Sequence, residues 1–268
     1  MHSLLRKHLH VDLSGKKILI HRSKGFLRKK FELIDSFDAG DSVSFHPVLK
    51  NHLQSRLTNL NISHLGTDII ISDACVRYFK VTPPRNIQSL QDCRLAAEVR
   101  FRNLYEEDLS AWTLQADLDA NADFMVCAVP NALLEALQEV ATDRRLVLHS
   151  IKPKFISVCN QRRATLKKNG WFCVVSESTV SIGLFLDGRL FSLRVIKRLG
   201  EERRTGLWMR EQFVREALLL NLHTPSDVMI YGDSFTSEFG DETPGILVKK
   251  IEENLYQLRF TEEALGES

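Results

Sequence analysis

The sequence predicts an α/β protein of two successive lobes, residues 11–160 and 161–268, each a mixed sheet opened by an antiparallel hairpin. Three observations carry this. β-rich runs joined by a short bend occur at 18–34 and again at 171–196. After each hairpin, segments with apolar residues at helical spacing alternate with short β-rich runs. The order restarts at residue 171 without a low-complexity linker, although no residue-level repeat accompanies it. Hairpins pair antiparallel and helical crossovers return the chain parallel, so a chain with both builds mixed sheets.

In the first lobe, ILIHRSKGFLRKKFELI (18–34) predicts two strands around a Ser23-Lys24-Gly25 bend. HPVLKNHLQSRL (46–57) puts Val48, Leu49, His52, Leu53 and Leu57 on one helical face, and Pro47 suits the first turn. TDIIISDACVRYFKV (67–81) is β-rich, broken at Ser72-Asp73 and ended by Pro83 and Pro84. Ser89 with Asp92 makes a capping-box pattern for a helix to about Glu106, with Cys93, Ala96, Ala97, Phe101 and Leu104 as its apolar face. WTLQADL and FMVCAVP read as short strands, Asn131 as the cap of NALLEALQEVA, and LVLHSI as a further strand. Pro153 opens KPKFISVCNQRRATL, which reads as helix.

In the second lobe, Asp187-Gly188 is the bend of the hairpin, because the favoured two-residue turn needs positive φ at both positions. GLWMREQFVREALLLNL follows as a helix with Leu207, Val214, Ala217 and Leu218 on one face. The strand DVMIY and an acidic C-terminal segment complete it.

Composition bounds the function. At 268 residues, 44% hydrophobic and 26% charged, the chain matches ordinary globular proteins and can bury a sizeable core. Cys75, Cys93, Cys127, Cys159 and Cys173 are odd in number, widely spaced and set among apolar neighbours, which predicts reduced thiols in the cytoplasm rather than disulfides or a zinc site. No apolar run approaches the roughly 18 residues of a membrane helix, and MHSLLRKHLHVDLS lacks the apolar core of a secretory signal. Net charge is +2 but unevenly spread: residues 1–30 carry nine Lys or Arg against Asp12, and residues 233–268 carry nine acids against three bases. Solvated faces are the plain reading. The sharper one is a basic edge at 16–30 facing anionic lipid or an acidic partner, at about 1 kcal/mol per base near such a surface. Nucleic acid is not expected, because the basic stretch lacks interleaved aromatics for stacking.

Chemical motifs are sparse. Gly232-Asp233-Ser234, after a strand, has the look of an esterase nucleophile block, but no histidine follows it to activate the serine. His8 with His10, and His46 with His52, have no carboxylate or thiol at ligand spacing. GxGxxG, GxxxxGK[ST] and HExxH are absent. No catalytic residue and no metal ligand is predicted.

The order of GTDIIISDACVRYFKVTPP, the Ser89–Glu106 helix, FMVCAVPNALLEALQEVATDRRLVLHSIKPKFISVCN and the 171–196 hairpin leading to VMIYGDS resembles the actin-like (ribonuclease H-like) ATPase fold. It is most similar to the PilM proteins of type IV pili and the cytoplasmic part of GspL from type II secretion. The resemblance implies phosphate held on two hairpins with Asp-x-Gly-like turns, where glycine lets backbone N–H groups close on the anion and Asp organises a hydrated Mg²⁺. On that comparison the pocket positions are Arg22 and Ser23 in the first hairpin and Ser176, Glu177 and Ser178 in the second. Gly232 and Asp233 stand at the adenosine-side glycines. Charged hydrogen bonds are worth about 1.5–3 kcal/mol each, so losing several removes most of the ATP affinity.

The resemblance therefore implies a bacterial pseudo-ATPase without a cofactor, with ATP and Mg²⁺ binding lost. Its role would be that of a non-catalytic scaffold or adaptor in a type IV pilus or type II secretion inner-membrane platform. Its expected partner is a membrane-anchored, PilN-like assembly protein. The expected place is the cytoplasm, with peripheral contact at the inner membrane through the 16–30 edge; the chain ends at Ser268 without the membrane helix of GspL, as PilM does. Two alternatives stay open: a divergent nucleotide-binding ATPase or sugar-kinase-like enzyme of the same superfamily, with Glu177 and Asp233 as its carboxylates, and an unrelated α/β fold.

Overall fold

Leu9, Val11 and Leu13 are buried and alternate with half-buried His8, His10 and Asp12, and this period of two defines the first strand, β1 (His8–Leu13). The architecture is that of a computed structural model describing residues 8–15, 17–24, 30–38, 47–84, 89–198, 206–232, 246–252 and 255–260. The chain divides into two compact units, Met1–Ala122 with Val126–Ser157 and Asp123–Met125 with Val158–Ser268.

In the first unit, β1 is followed by β2 (Lys17–Lys24), β3 (Lys30–Asp38), α1 (Pro47–Thr58), β4 (Gly66–Ile71), a single 3-10 turn at Asp73–Cys75 and β5 (Arg77–Val81). Then come α2 (Leu90–Tyr105), a 3-10 turn at Leu109–Ala111, β6 (Trp112–Ala116), β7 (Phe124–Pro130), α3 (Asn131–Asp143), β8 (Val147–Pro153) and α4 (Lys154–Gln161). The main sheet has the order β3-β2-β1-β4-β8, antiparallel across β3, β2 and β1 and parallel across β1, β4 and β8. Its apolar face, with Leu9, Val11, Ile18, Ile20, Ile69 and Ile71, packs on Leu53 and Leu57 of α1 and Leu133, Leu137 and Val140 of α3. A small sheet β5-β7-β6 stands between β4 and β8 in the chain. There the buried Phe101 of α2 has its ring centroid 5.1 Å from Tyr105 and 5.5 Å from Trp112.

The second unit contains β9 (Gly170–Val175), β10 (Thr179–Leu186), β11 (Arg189–Lys197), α5 (Gly206–Leu219), β12 (Asp227–Gly232), β13 (Ile246–Glu252) and β14 (Leu255–Phe260). Its sheet has the order β11-β10-β9-β12-β14-β13. The first four positions repeat the first sheet: two antiparallel ladders, then a parallel β9/β12 pair. The fifth differs, since β14 pairs antiparallel with β12 where β8 pairs parallel with β4. Asp187 (φ 52°) and Gly188 (φ 77°) make the expected turn between β10 and β11.

Several local expectations change. Each opening hairpin is a three-stranded meander, because β1 and β9 precede the strands around the expected bends. Ser23 and Lys24 belong to β2 rather than to a bend, and Gly25 lies outside the described residues. His52 is exposed on α1. On α2, Cys93, Ala97 and Phe101 are buried but Leu104 is exposed. On α5 the buried positions are Gly206, Met209, Phe213, Glu216 and Ala217, and Leu207 and Leu218 face solvent. Asn131 is not a cap but the first residue of α3; its amide accepts from the Thr113 hydroxyl and donates to the Ser110 carbonyl, both at 2.7 Å. All five cysteines are free thiols, with Cys93 and Cys173 buried.

Candidate functional site

The parallel strands β1, β4 and β8 end in register at Leu13, Ile71 and Pro153. The carboxyl ends of parallel strands are where open α/β sheets place their ligands. Here they deliver Ser14-Gly15, Ser72-Asp73 and Lys154-Phe155 to one edge. Asp12 projects from the polar face of β1, one residue before this edge. Its Oδ1 accepts from the Ser14 N–H at 2.9 Å and the Ser14 hydroxyl at 2.5 Å. Its Oδ2 accepts from Lys154 Nζ at 2.7 Å, and both side chains of this ion pair are nearly excluded from solvent, at 10% and 13%. Burial pushes the Asp12 carboxyl up, but the Lys154 charge and the bonds from Lys154 and Ser14 outweigh it, leaving Asp12 below its ordinary range.

A second carboxylate, that of Asp73, follows the end of β4 at the same edge. Asp73, 1% exposed, has both oxygens 3.1 Å from the Phe155 N–H, and its Oδ1 also accepts from the Tyr78 hydroxyl at 3.0 Å. Phe155 is the second residue of α4, so Asp73 satisfies an N–H that the helix itself leaves without a partner and opposes the positive end of its dipole.

In the second unit, Ser176, Glu177 and Ser178 form the turn from β9 to β10, and Gly232 pairs with Val175 at the end of the parallel neighbour β12. The structure thus brings Ser176, Glu177, Ser178 and Gly232 together at that edge, and Asp233 lies outside the described residues. The turn is closed by the Ser176 N–H donating to the Thr179 carbonyl at 2.8 Å. Buried Arg198 anchors it from below: its N–H donates to the Ser178 carbonyl at 2.9 Å and its Nη1 to the Ser176 carbonyl at 2.8 Å.

Arg22 and Ser23 are placed differently from expectation. They lie near the far end of β2 from the β1–β2 turn; Arg22 Nη2 donates to the Asn61 carbonyl at 3.0 Å, and buried Ser23 accepts from the His8 N–H at 2.8 Å. The first unit's equivalent of the β9–β10 turn begins with Ser14 and Gly15, directly after Asp12 and Leu13 at the end of β1, and the sequence reading passed over these four residues together with Asp73 and Lys154. The available signal was Ser14-Gly15 following the alternation of HLHVDL. Of the histidine pairs, His8 Nε2 lies 2.6 Å from Asp68 Oδ2, and His46 is outside the described residues. Among the described residues no group of three or more His, Cys, Asp or Glu side chains is arranged to hold a metal, and no helix is long and apolar enough to cross a membrane.

No protein-family model matches the sequence, and no curated protein matches it. Solved structures do. A Bacteroides thetaiotaomicron protein with an actin-like ATPase fold matches with a TM-score of 0.55 at 12% identity, over 81% of this chain and 78% of that one. The chain has the actin-like ATPase fold. The cytoplasmic domain of EpsL, an inner-membrane component of the Vibrio cholerae type II secretion system, matches with a TM-score of 0.53 at 10% identity, over 76% and 74% of the two chains. A PilM–PilN type IV pilus biogenesis complex matches with a TM-score of 0.59 at 12% identity, over 83% and 68%.

The fold makes Mg²⁺ and nucleotide phosphate the groups to test against these residues. A hydrated Mg²⁺ needs carboxylate oxygens free to face its water shell. Both oxygens of Asp12 are engaged, one of them by a cation. The second turn has serines where glycine would let the backbone close on phosphate, and its one carboxylate, Glu177, is exposed. These residues do not fit a hydrated Mg²⁺ at the first turn.

Proposed function

We propose that this chain is a non-catalytic adaptor of a type IV pilus or type II secretion platform at the inner membrane. It would bind a membrane-anchored assembly protein in the manner suggested by the PilM–PilN pairing. The single observation that carries the non-catalytic part is the closed Asp12–Lys154 ion pair at the first turn. The carboxylate that an actin-like ATPase would turn toward a metal is spent on an internal ammonium. The assembly role is supported by the likeness of the fold to PilM in complex with PilN and to the EpsL cytoplasmic domain. A working place in the cytoplasm, reached at the membrane through the partner or the 16–30 edge, belongs to the same proposal.

Crosslinking the tagged chain in its native cell, with identification of the crosslinked peptides, tests the role. The reading expects crosslinks to the cytoplasmic segment of a single-span pilus or secretion protein. Crosslinks confined to soluble enzymes would contradict it.

One observation favours a second reading, a divergent nucleotide-dependent enzyme. Asp12, Ser14 and Gly15 preserve an acid, a hydroxyl and a glycine at the first turn. Glu177 and Asp233 would then be the second-unit carboxylates. Steady release of phosphate from ATP, abolished by Asp12→Asn, would establish this reading in place of the first.

A further inference from the structure

At the edge formed by β1, β4 and β8, two internal pairings use the groups that a ligand would otherwise engage. The Asp12 carboxylate is closed by the Lys154 ammonium and Ser14, and the Phe155 backbone N–H in the first turn of α4 is closed by the Asp73 carboxylate. Lys154 is the first residue of α4, where a cation is disfavoured by the helix dipole. It is also 8% exposed, so its charge is held there by Asp12 rather than by water. Moving either ion out of water costs several kcal/mol, and only a close partner recovers that cost. We propose that this edge is self-liganded: Lys154 is the resident cation of the first turn, standing in for a metal ion, and Asp73 is the resident anion of the α4 N-terminus. The turn therefore keeps its geometry with no metal or nucleotide, and Asp12 becomes available to a divalent cation only when Lys154 is removed. This rests on the non-catalytic reading and gives it a mechanism.

The test uses the full chain and Mn²⁺ alone as the probe, read by paramagnetic relaxation of water protons and by melting. The natural protein, Asp12→Asn and Lys154→Arg are expected to give the same relaxation, because each lacks an available buried carboxylate. Lys154→Met is expected to bind Mn²⁺ about tenfold or more tightly than the natural protein and to be stabilised by it. The double variant Asp12→Asn with Lys154→Met is expected to lose that gain while folding without metal. Mn²⁺ binding by the natural protein that Asp12→Asn abolishes overturns the proposal; because Asp12→Asn strands the buried Lys154, the same loss is read in the double variant Asp12→Asn with Lys154→Met, which leaves neither charge buried alone. A Lys154→Met chain that neither binds Mn²⁺ nor is stabilised by it also overturns it. The two readings fail separately: ATP hydrolysis by a protein that binds no Mn²⁺ through Asp12 supports the self-liganded edge and removes only the non-catalytic role.

Discussion

Asp12 and Lys154 meet under opposing terms: each loses hydration, and each recovers it from the other at 2.7 Å. Removing one partner strands a buried charge, so Lys154→Met is expected to lower stability by about 3–5 kcal/mol in urea unfolding. Asp12→Asn in the same chain is expected to restore much of that loss, and an additive double variant would contradict the pairing. The neighbouring histidines predict a pH dependence. His10 and His21 are partners across β1 and β2; the charges of Asp12 and Lys154 act on both imidazoles, and that of Asp68 acts on His10. Burial lowers both imidazoles below their ordinary value of 6.5 despite the pull of Asp12. The unfolded chain then binds more protons than the native one as pH falls below that value, so stability is complete above it and declines beneath it. Asp12, held below its ordinary 3.8, adds a further loss only at more acid pH. Replacing both histidines with asparagine is expected to flatten the decline between about pH 7 and pH 5; an unchanged slope would contradict it. None of this was legible in the sequence, because Asp12 and Lys154 are far apart in the chain and only the parallel register joins them.

Elements were more legible than sites where a local chemical rule fixes them. Ser89 and Asp92 form the full capping box on α2, with the Asp92 N–H donating to Ser89 Oγ at 3.3 Å and the Ser89 N–H to Asp92 Oδ2 at 3.0 Å. Ser89→Ala is expected to cost about 1 kcal/mol, read as a shift of the denaturation midpoint. The Asp187-Gly188 turn was legible for the same reason, since few residue pairs accept positive φ twice. The face of α5 was not. Its leucines, Leu207, Leu218 and Leu219, are all exposed, and the buried stripe runs through Met209, Phe213 and Ala217 with Glu216, whose carboxylate forms an ion pair with Arg194, Oε1 to Nε 3.0 Å. β1 escaped notice because its outward residues are His8, His10 and Asp12, and because Ser23-Lys24-Gly25 offered a competing turn signal. That misplacement moved the first-hairpin comparison onto Arg22 and Ser23, which bond to backbone far from the edge.

At the scale of the whole molecule, the alternation of hairpins and crossovers carried the fold class, and the repeated strand order with its repeated ladder senses bears it out. The antiparallel β14 beside β12 was beyond reach, because the acidic C-terminal segment gave no pairing signal of its own. A conserved topology with an internally neutralised first turn makes the absence of nucleotide binding the central claim. Its most direct test is the thermal melting of the full chain with and without saturating ATP and Mg²⁺. A ligand bound only by the folded state adds about 2.7 kcal/mol of stability at a hundredfold excess over Kd. The account predicts superimposable melting curves; a clear upward shift that depends on both ATP and Mg²⁺, and is lost in Asp12→Asn, would contradict it.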